Sequence, residues 1–252
     1  MGKIQIGLIG AGNIARIIAD NADVYEIACV HDAVEEAAEA FSKKYGCSVT
    51  NPKDFPELDL VVEAASQEAV AEYAEAVLKG GHNLMVMSVG AFVDVGLFQR
   101  LKSAAQEKGV KLILPSGAVA GLDGLKSASV GKMEEVVLTT TKPPKGLGLD
   151  AREKTVVFEG SAAEAVRKFP KNVNVAATLS LVGMGFEKTR VRIVADPAVD
   201  RNRHEIYARG EFGEMRAQVN NMPSPQNPKT SYLAAMSAVS AIRRLRENVV
   251  IG

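Results

Sequence analysis

The sequence has little from which a metal centre, a redox pair or a charged binding surface can be built. It contains two cysteines and three histidines in 252 residues. Cys29 and Cys47 fall in or beside predicted strands, and their spacing matches no metal or disulfide-exchange motif. We therefore expect reduced, buried thiols and no metal site. Thirty basic and thirty acidic residues cancel, so no overall field favours binding to nucleic acid.

Long apolar runs are also lacking. No stretch of about 18 apolar residues is present to span a membrane. The chain enters a predicted strand at once, without the charged-then-apolar leader of a secreted protein. We expect a cytoplasmic protein that binds neither membrane nor nucleic acid. Apolar residues make up 47% of the chain and charged residues 24%, which is typical of a globular protein with ample core.

The first fifteen residues predict a dinucleotide site. An apolar strand, Lys3 to Ile9, leads into the sequence GAGNIA, which has the G-x-G-x-x-A spacing of dinucleotide-binding turns. In that turn Gly10 allows a tight bend, and Gly12 lets the backbone approach a pyrophosphate. Asn13 and Ile14 then open a helix whose free N–H groups favour phosphate.

An acid follows at the distance that this motif requires. The predicted second strand ends in Asp32, twenty residues past Gly12, where a carboxylate accepts hydrogen bonds from an adenosine ribose. Asp32 would repel a 2′-phosphate and no arginine follows it, so the pattern favours NAD over NADP. The alternative is a glycine-rich turn in another α/β protein, with Asp32 as a helix N-cap.

Strands and helices alternate strictly through residue 114, which predicts a doubly wound parallel sheet of the Rossmann type. Ligands of such sheets bind at the carboxyl ends of the strands. The small or polar residues expected there as cofactor contacts are Ala65, Ser66, Ser88, Val89 and Gly90. For the two serines a plain helix N-cap is an equally good interpretation.

After residue 115 the pattern changes to a run of strands with short helices, which predicts a second α+β domain with a mostly antiparallel sheet. We expect residues 1–115 to form the dinucleotide-binding domain and residues 116–228 the substrate and catalytic domain. A helix within residues 229–252 is expected to pack back on the first domain. The proline-rich segment Pro223 to Pro228 is predicted to be a rigid connector.

The best candidate for acid–base chemistry is the segment Asp196 to His204, a polar loop that leads into a strand predicted from His204 to Gly210. It contains two acids, two arginines and one imidazole. His204 can exchange a proton near its ordinary pKa, and Asp196 or Asp200 can orient it. The alternative is a solvated charged turn. The cations available to hold a substrate carboxylate are Arg201, Arg203, Lys142 and Lys145. For the two lysines, solvated side chains at a sheet edge are the more common explanation.

Two asparagines form a second polar cluster. Asn172 and Asn174 alternate along a predicted extended segment, so their amides project to one side and can bind a carboxamide or a carboxylate. An asparagine-capped turn before a helix explains them equally well.

Taken together, several segments resemble the L-aspartate dehydrogenase family. They are GAGNIA, PSGAVAGLDGL, FPKNVNVAATLSL, ADPAVDRNRHEI and NPKTSYLAAMSA, and the resemblance covers nearly the whole chain. It implies NAD(P)-dependent oxidative deamination of L-aspartate to iminoaspartate, which hydrolyses to oxaloacetate and ammonia. It also implies the reverse reductive amination and a link to NAD biosynthesis.

The resemblance also implies roles for individual residues. The family's catalytic histidine corresponds to His204, and two of its cofactor contacts correspond to Ala118 and Asn174. The family is usually dimeric and is loose in its choice between NAD and NADP. The alternatives are a sensor that binds NAD(H) without turnover and another small-substrate imine or oxo reductase.

Overall fold

The computed structural model describes residues 2–169, 174–225 and 227–249. The chain divides into two compact units. Of the described residues, one unit contains 2–115 and 235–249, and the other contains those between 116 and 234. No helix in the described part of the chain is both long and apolar enough to cross a membrane.

The first unit is built on a six-stranded parallel sheet with the strand order β3-β2-β1-β4-β5-β6. Its strands are β1 (Ile4–Ile9), β2 (Tyr25–His31), β3 (Ser48–Val49), β4 (Leu60–Glu63), β5 (Asn83–Val86) and β6 (Leu112–Ile113). Its connecting helices are α1 (Asn13–Asp20), α2 (Glu35–Tyr45), α3 (Gln67–Lys79) and α4 (Val95–Lys108). The predicted doubly wound sheet is confirmed.

The central strands of this sheet are buried because helices cover both faces of a doubly wound sheet. In β1 the residues Ile6 and Leu8 have no exposed surface, and all four residues of β4 are buried. The order reverses between β1 and β4, which is the position where ligands bind in such sheets. Short 3-10 turns at Pro52–Asp54 and Val89–Val93 complete the unit.

The second unit contains a five-stranded sheet with the order β11-β10-β7-β9-β8. Its strands are β7 (Met133–Lys142), β8 (Thr155–Ser161), β9 (Arg190–Ala195), β10 (Asn202–Gly210) and β11 (Gly213–Asn221). Its helices are α5 (Leu122–Ala128), α6 (Ala162–Lys168) and α7 (Asn174–Val182). Only the β7–β9 pair is parallel, so the predicted, mostly antiparallel sheet is confirmed.

The two faces of this second sheet differ in burial. On what we call the inner face, Val136 and Leu138 of β7 lie opposite Ala208 and Ile206 of β10, and all four are at most 2% exposed. A Cβ atom at Gly183, which follows α7, would lie 3.3 Å from Cγ2 of Val136, so helices cover this face. The alternate residues of β10 form the outer face: Arg203, Glu205, Tyr207 and Arg209.

The predicted rigid connector at residues 223–228 is wrong. Two short strands, β12 (Pro223–Ser224) and β13 (Asn227–Ser231), pair antiparallel there, and Gln226 lies outside the described residues. A two-stranded ladder tolerates proline because each strand has an edge that needs no N–H donor.

The chain re-enters the first unit within α8 (Tyr232–Arg243). Near the end of this helix the guanidinium of Arg243 pairs with the carboxylate of Asp23, with 2.8 Å between Nη2 and Oδ2. Beyond the helix, Arg246 donates a 2.6 Å hydrogen bond to the carbonyl of Gly2.

Candidate active site

The turn after β1 has the geometry that a bound dinucleotide requires. Gly10 has a φ of +104°, and a Cβ atom there would lie 2.8 Å from the carbonyl oxygen of Ala64, so only glycine fits. A Cβ placed at Gly12, the N-cap residue of α1, meets no described atom within 4 Å. The backbone at Gly12 is therefore open to close approach by a phosphate, while half-buried Asn13 and Ile14 form the first turn of the helix.

Asp32 lies beside this turn. Its Oδ2 accepts a 2.7 Å hydrogen bond from the N–H of Ala11, and its Oδ1 accepts a 2.9 Å bond from the N–H of Val34. Helix α2 begins later, with Val34 at its N-cap position, so the N-cap interpretation of Asp32 is wrong. The carboxylate instead joins the end of β2 to the glycine turn, which is where the motif needs an acceptor for a ribose.

A buried carboxylate that the sequence analysis missed holds the turns after β4 and β5. Glu63, the last residue of β4, is 1% exposed. Its carboxylate accepts hydrogen bonds from the N–H of Ala65 at 2.8 Å, and from the N–H and Oγ of Ser88 at 3.0 and 2.8 Å. Burial raises the pKa of Glu63, and the hydrogen bonds from Ser88 oppose that shift. The available signal was an acid at the end of an apolar run, LDLVVEA.

The two serines predicted as cofactor contacts or N-caps differ. Ser66 caps α3, since its Oγ accepts a 3.2 Å bond from the N–H of Ala69. Ser88 precedes a 3-10 turn but makes no side-chain cap there, because its hydroxyl donates to Glu63. Val89 and Gly90, in the same turn, are buried.

In the second unit His204 lies inside β10 and not at the end of a loop, because the strand begins at Asn202. It is 5% exposed, and its Nδ1 lies 2.9 Å from Oγ1 of Thr140, the residue directly opposite on β7. The expectation that Asp196 or Asp200 orients the imidazole is therefore wrong. Asp196 accepts a bond from the N–H of Ala198, and Asp200 pairs with Arg201.

Burial governs the charge of this histidine. It lowers the pKa of His204 to about 4, and the positive charge of Lys142 acts in the same direction. The expected ordinary pKa is wrong, and the ring is neutral at pH 7. Lys142 is itself 5% exposed, and burial lowers its pKa as well.

The structure brings one of the four predicted cations to His204. Lys142 ends β7 two residues after Thr140, so strand alternation puts it on the inner face. Arg203 neighbours His204 and so lies on the outer face, where its Nε donates to Oδ1 of Asn220 at 3.1 Å. The prediction that Arg203 shares a site with the histidine is wrong. The other two are Arg201, which is held by Asp200, and Lys145, which is exposed.

Of the two asparagines in the predicted amide cluster, the structure describes one. Asn174 begins α7 and is exposed, whereas Asn172 lies outside the described residues. Ala118 is 5% exposed, and its carbonyl accepts a 3.0 Å bond from Nδ2 of Asn221. Asn221, which ends β11, is 2% exposed and was not anticipated from the sequence, since nothing local marks its partner 103 residues away.

Comparison with known proteins covers both units. A family model described as "Aspartate dehydrogenase, C-terminal" matches residues 123–245, and one described as "Homoserine dehydrogenase, NAD binding domain" matches residues 6–115. The L-aspartate dehydrogenase of Methanosarcina barkeri is 46% identical over 268 aligned positions, covering 100% of this chain and 98% of the relative. The chain belongs to the L-aspartate dehydrogenase family.

Solved structures agree with this family. The aspartate dehydrogenase of Thermotoga maritima matches with a TM-score of 0.85 and 34% identity over 99% of both chains. A more distant structure, GenD2 in complex with NAD, has a TM-score of 0.58 at 13% identity, covering 99% of this chain and 89% of that one. That similarity shows the fold alone. As a member of the L-aspartate dehydrogenase family, the chain is an oxidoreductase that uses NAD(P).

Proposed function

We propose that this chain oxidises L-aspartate at its α-carbon, giving iminoaspartate, which water converts to oxaloacetate and ammonia. It also catalyses the reverse amination and serves NAD biosynthesis. The observation that carries the proposal is the buried cluster of Thr140, Lys142 and His204 on the inner face of the second sheet. When bound, the dinucleotide supplies the hydride acceptor.

The first unit holds most of the dinucleotide in this proposal. Gly10, Gly12, Asn13 and Ile14 bind the pyrophosphate, and Asp32 binds the adenosine ribose and favours NAD over NADP. Replacing Asp32 by serine should therefore raise the kcat/KM for NADP relative to that for NAD. Further cofactor contacts proposed along the chain are Ala65, Ser66, Ser88, Val89, Gly90, Ala118 and Asn174.

Lys142 binds a carboxylate of the substrate. Its ammonium is the positive charge that acts on His204, so a carboxylate bound to it would lie near the proton acceptor, and aspartate brings two carboxylates. A bound carboxylate would also reverse the effect of burial on the pKa of Lys142 and hold the side chain charged. Arg201 and Asn172 remain predictions for substrate binding.

His204 acts as the proton acceptor. In the tautomer that donates Nδ1–H to Oγ1 of Thr140, its Nε2 carries a free lone pair. Loss of hydride from the neutral amine leaves a protonated imine. As a water oxygen bonds to its carbon, the C=N electron pair moves to nitrogen and one water proton moves to Nε2. That proton then passes from Nε2 to the nitrogen, the C–N bond breaks to release ammonia, and the remaining hydroxyl proton moves to Nε2 as the carbonyl of oxaloacetate forms.

The activity is tested by following absorbance at 340 nm with NAD or NADP and a panel of L-amino acids and 2-hydroxy acids. Turnover confined largely to L-aspartate supports the proposal. If no member of the panel is oxidised while NADH still binds, the chain is a dinucleotide sensor or acts on another imine or oxo substrate. Turnover of a hydroxy acid alone would contradict the proposed reaction.

The chain also acts as a cytoplasmic homodimer in this proposal. The outer face of the second sheet carries both charge signs, with Arg209 near Glu135 and Arg192 near Glu159, and it places half-buried Tyr207 among them. A surface of mixed sign can complement itself across a two-fold axis. One chain has a mass of 26.8 kDa. Light scattering should give twice that mass, and the mass of a single chain would contradict the dimer.

A further inference from the structure

The side-chain amide of Asn221 has a fixed orientation. Its Nδ2 lies 3.0 Å from the carbonyl oxygen of Ala118. Because a carbonyl can only accept a hydrogen bond, the nitrogen must face Ala118 and the oxygen must face away. Nδ2 is therefore hydrogen-bonded to the PSGAVAG segment, whereas Oδ1 is available to accept a hydrogen bond from another donor.

The available oxygen, Oδ1, is buried. Among the residues that the structure describes, Oδ1 of Asn221 has no hydrogen-bond partner, although the residue is 2% exposed. Folded proteins rarely leave a buried acceptor unpaired, because no hydrogen bond then replaces the ones that the acceptor made to water. A donor supplied by a bound ligand would remove this cost.

Asn221 also lies on the inner face of the second sheet, near His204. The residue opposite His204 in the ladder is Val219, two positions before Asn221 on β11. Side chains two apart on a strand share a face, so Asn221 and His204 are diagonal neighbours, separated by about 7–8 Å. The free oxygen is therefore within reach of a small molecule that contacts the histidine.

We propose that Oδ1 of Asn221 binds an N–H group of the ligand, while its Nδ2 holds the Ala118 segment in place. Two ligands of the proposed reaction carry such a group: the carboxamide of the nicotinamide ring and the α-amine of aspartate. A neutral acceptor suits both donors. The inference rests on the proposed function for the identity of these ligands.

The test measures binding rather than turnover, using Asn221→Ala. Asn221→Ser, too short to reach either partner, replaces it if the alanine variant does not fold. The matched control is Thr189→Val, which removes another buried hydrogen-bonding oxygen that lacks a partner. Thr189 precedes β9, and Lys142 pairs with Ala195 at the other end of that strand, so the control is remote from the cluster.

Calorimetry on each variant uses two ligand pairs that differ in one N–H group. NAD is compared with 3-acetylpyridine adenine dinucleotide, in which a methyl ketone replaces the carboxamide. L-Aspartate is compared with succinate, which lacks the amine. The wild type and Thr189→Val should bind the N–H ligand of one pair about tenfold more tightly than its partner, and Asn221→Ala should lose that preference.

The outcomes are distinct. Loss of preference in the dinucleotide pair identifies the carboxamide as the donor, and loss in the aspartate pair identifies the amine. If Asn221→Ala weakens both members of each pair equally, or weakens neither, the inference is overturned. Wild-type protein that binds these ligands but does not oxidise aspartate would contradict the proposed function and leave this binding result standing.

Discussion

Oγ1 of Thr140 lies 2.9 Å from Nδ1 of His204, at directly opposed positions on two paired strands. A carboxylate in that position would raise the pKa of the imidazole, whereas a neutral hydroxyl does not. Burial therefore keeps the ring neutral, and the hydroxyl sets only its orientation. The site holds a proton acceptor that is already deprotonated at physiological pH.

The first prediction concerns His204. His204→Ala should lower kcat about a hundredfold or more, because general-base catalysis by a positioned side chain contributes that factor. The Kd for NADH should stay near the wild-type value. His82→Ala is the control, since His82 lies in the turn before β5 with its Nδ1 3.3 Å from the carbonyl of Leu58. Unchanged kcat in His204→Ala would remove this residue from the mechanism.

The second prediction concerns Thr140 as a positioning residue. Thr140→Val keeps the shape of the side chain but removes the hydroxyl, so the ring loses its orienting hydrogen bond. We expect kcat to fall about tenfold with the Kd for NADH unchanged. Thr140→Ser should restore most of the activity. A serine variant as slow as the valine variant would point to packing and not to the hydroxyl.

The third prediction concerns substrate charge. Lys142→Met removes the buried ammonium and should raise the KM for aspartate at least tenfold, because a buried charge-assisted hydrogen bond contributes about 1.5–3 kcal/mol. The Kd for NADH should be unaffected. Lys126→Met, at an exposed position on α5, is the matched control. An unchanged KM in Lys142→Met would exclude this lysine as the carboxylate anchor.

The fourth prediction concerns stability and pH. His204 has a pKa of about 4 in the folded chain and its ordinary value of about 6.5 when unfolded. Between these values the unfolded chain binds more protons, so the stabilising contribution is complete above pH 6.5 and is lost as the pH falls towards 4. The loss approaches about 3 kcal/mol.

Urea unfolding at a series of pH values measures this loss. On acidification, wild-type protein should lose stability more steeply than His204→Gln, whose side chain does not titrate. Parallel curves for the two proteins would show that the imidazole is not buried in its neutral form.

The fifth prediction concerns Glu63. Glu63→Ala leaves the N–H groups of Ala65 and Ser88 without their acceptor and should cost about 2–4 kcal/mol of unfolding free energy. Because the turns after β4 and β5 are the proposed cofactor contacts, the Kd for NADH should also rise. Glu57→Ala, an exposed acid just before β4, should change neither quantity. Wild-type affinity in a destabilised Glu63→Ala protein would limit its role to folding.

Much of the first unit could be predicted because its signals are local. The glycine turn, the buried strand before it and Asp32 lie within the first 32 residues, and apolar periodicity marks the strands and helices that follow. Glu63 was missed because an acid at a strand end usually faces solvent. Its three donors come from two turns that only the folded sheet brings together.

The cluster around His204 could be predicted only in part. The histidine itself was found, but its partner is 64 residues away on another strand, and no local pattern links them. The error on Arg203 follows from where β10 was predicted to start. Placing it at His204 made Arg203 a loop residue free to join the site, whereas a strand from Asn202 turns Arg203 to the outer face by simple alternation.

The proposed function depends on hydride transfer from the α-carbon of L-aspartate to the bound dinucleotide. It is tested most directly by incubating the protein with NAD and L-aspartate deuterated at the α-carbon, then measuring the mass of the reduced dinucleotide. Hydride transfer from this carbon gives NADH carrying one deuterium, formed together with oxaloacetate and ammonia. Reduced dinucleotide without deuterium, or none at all, would contradict it.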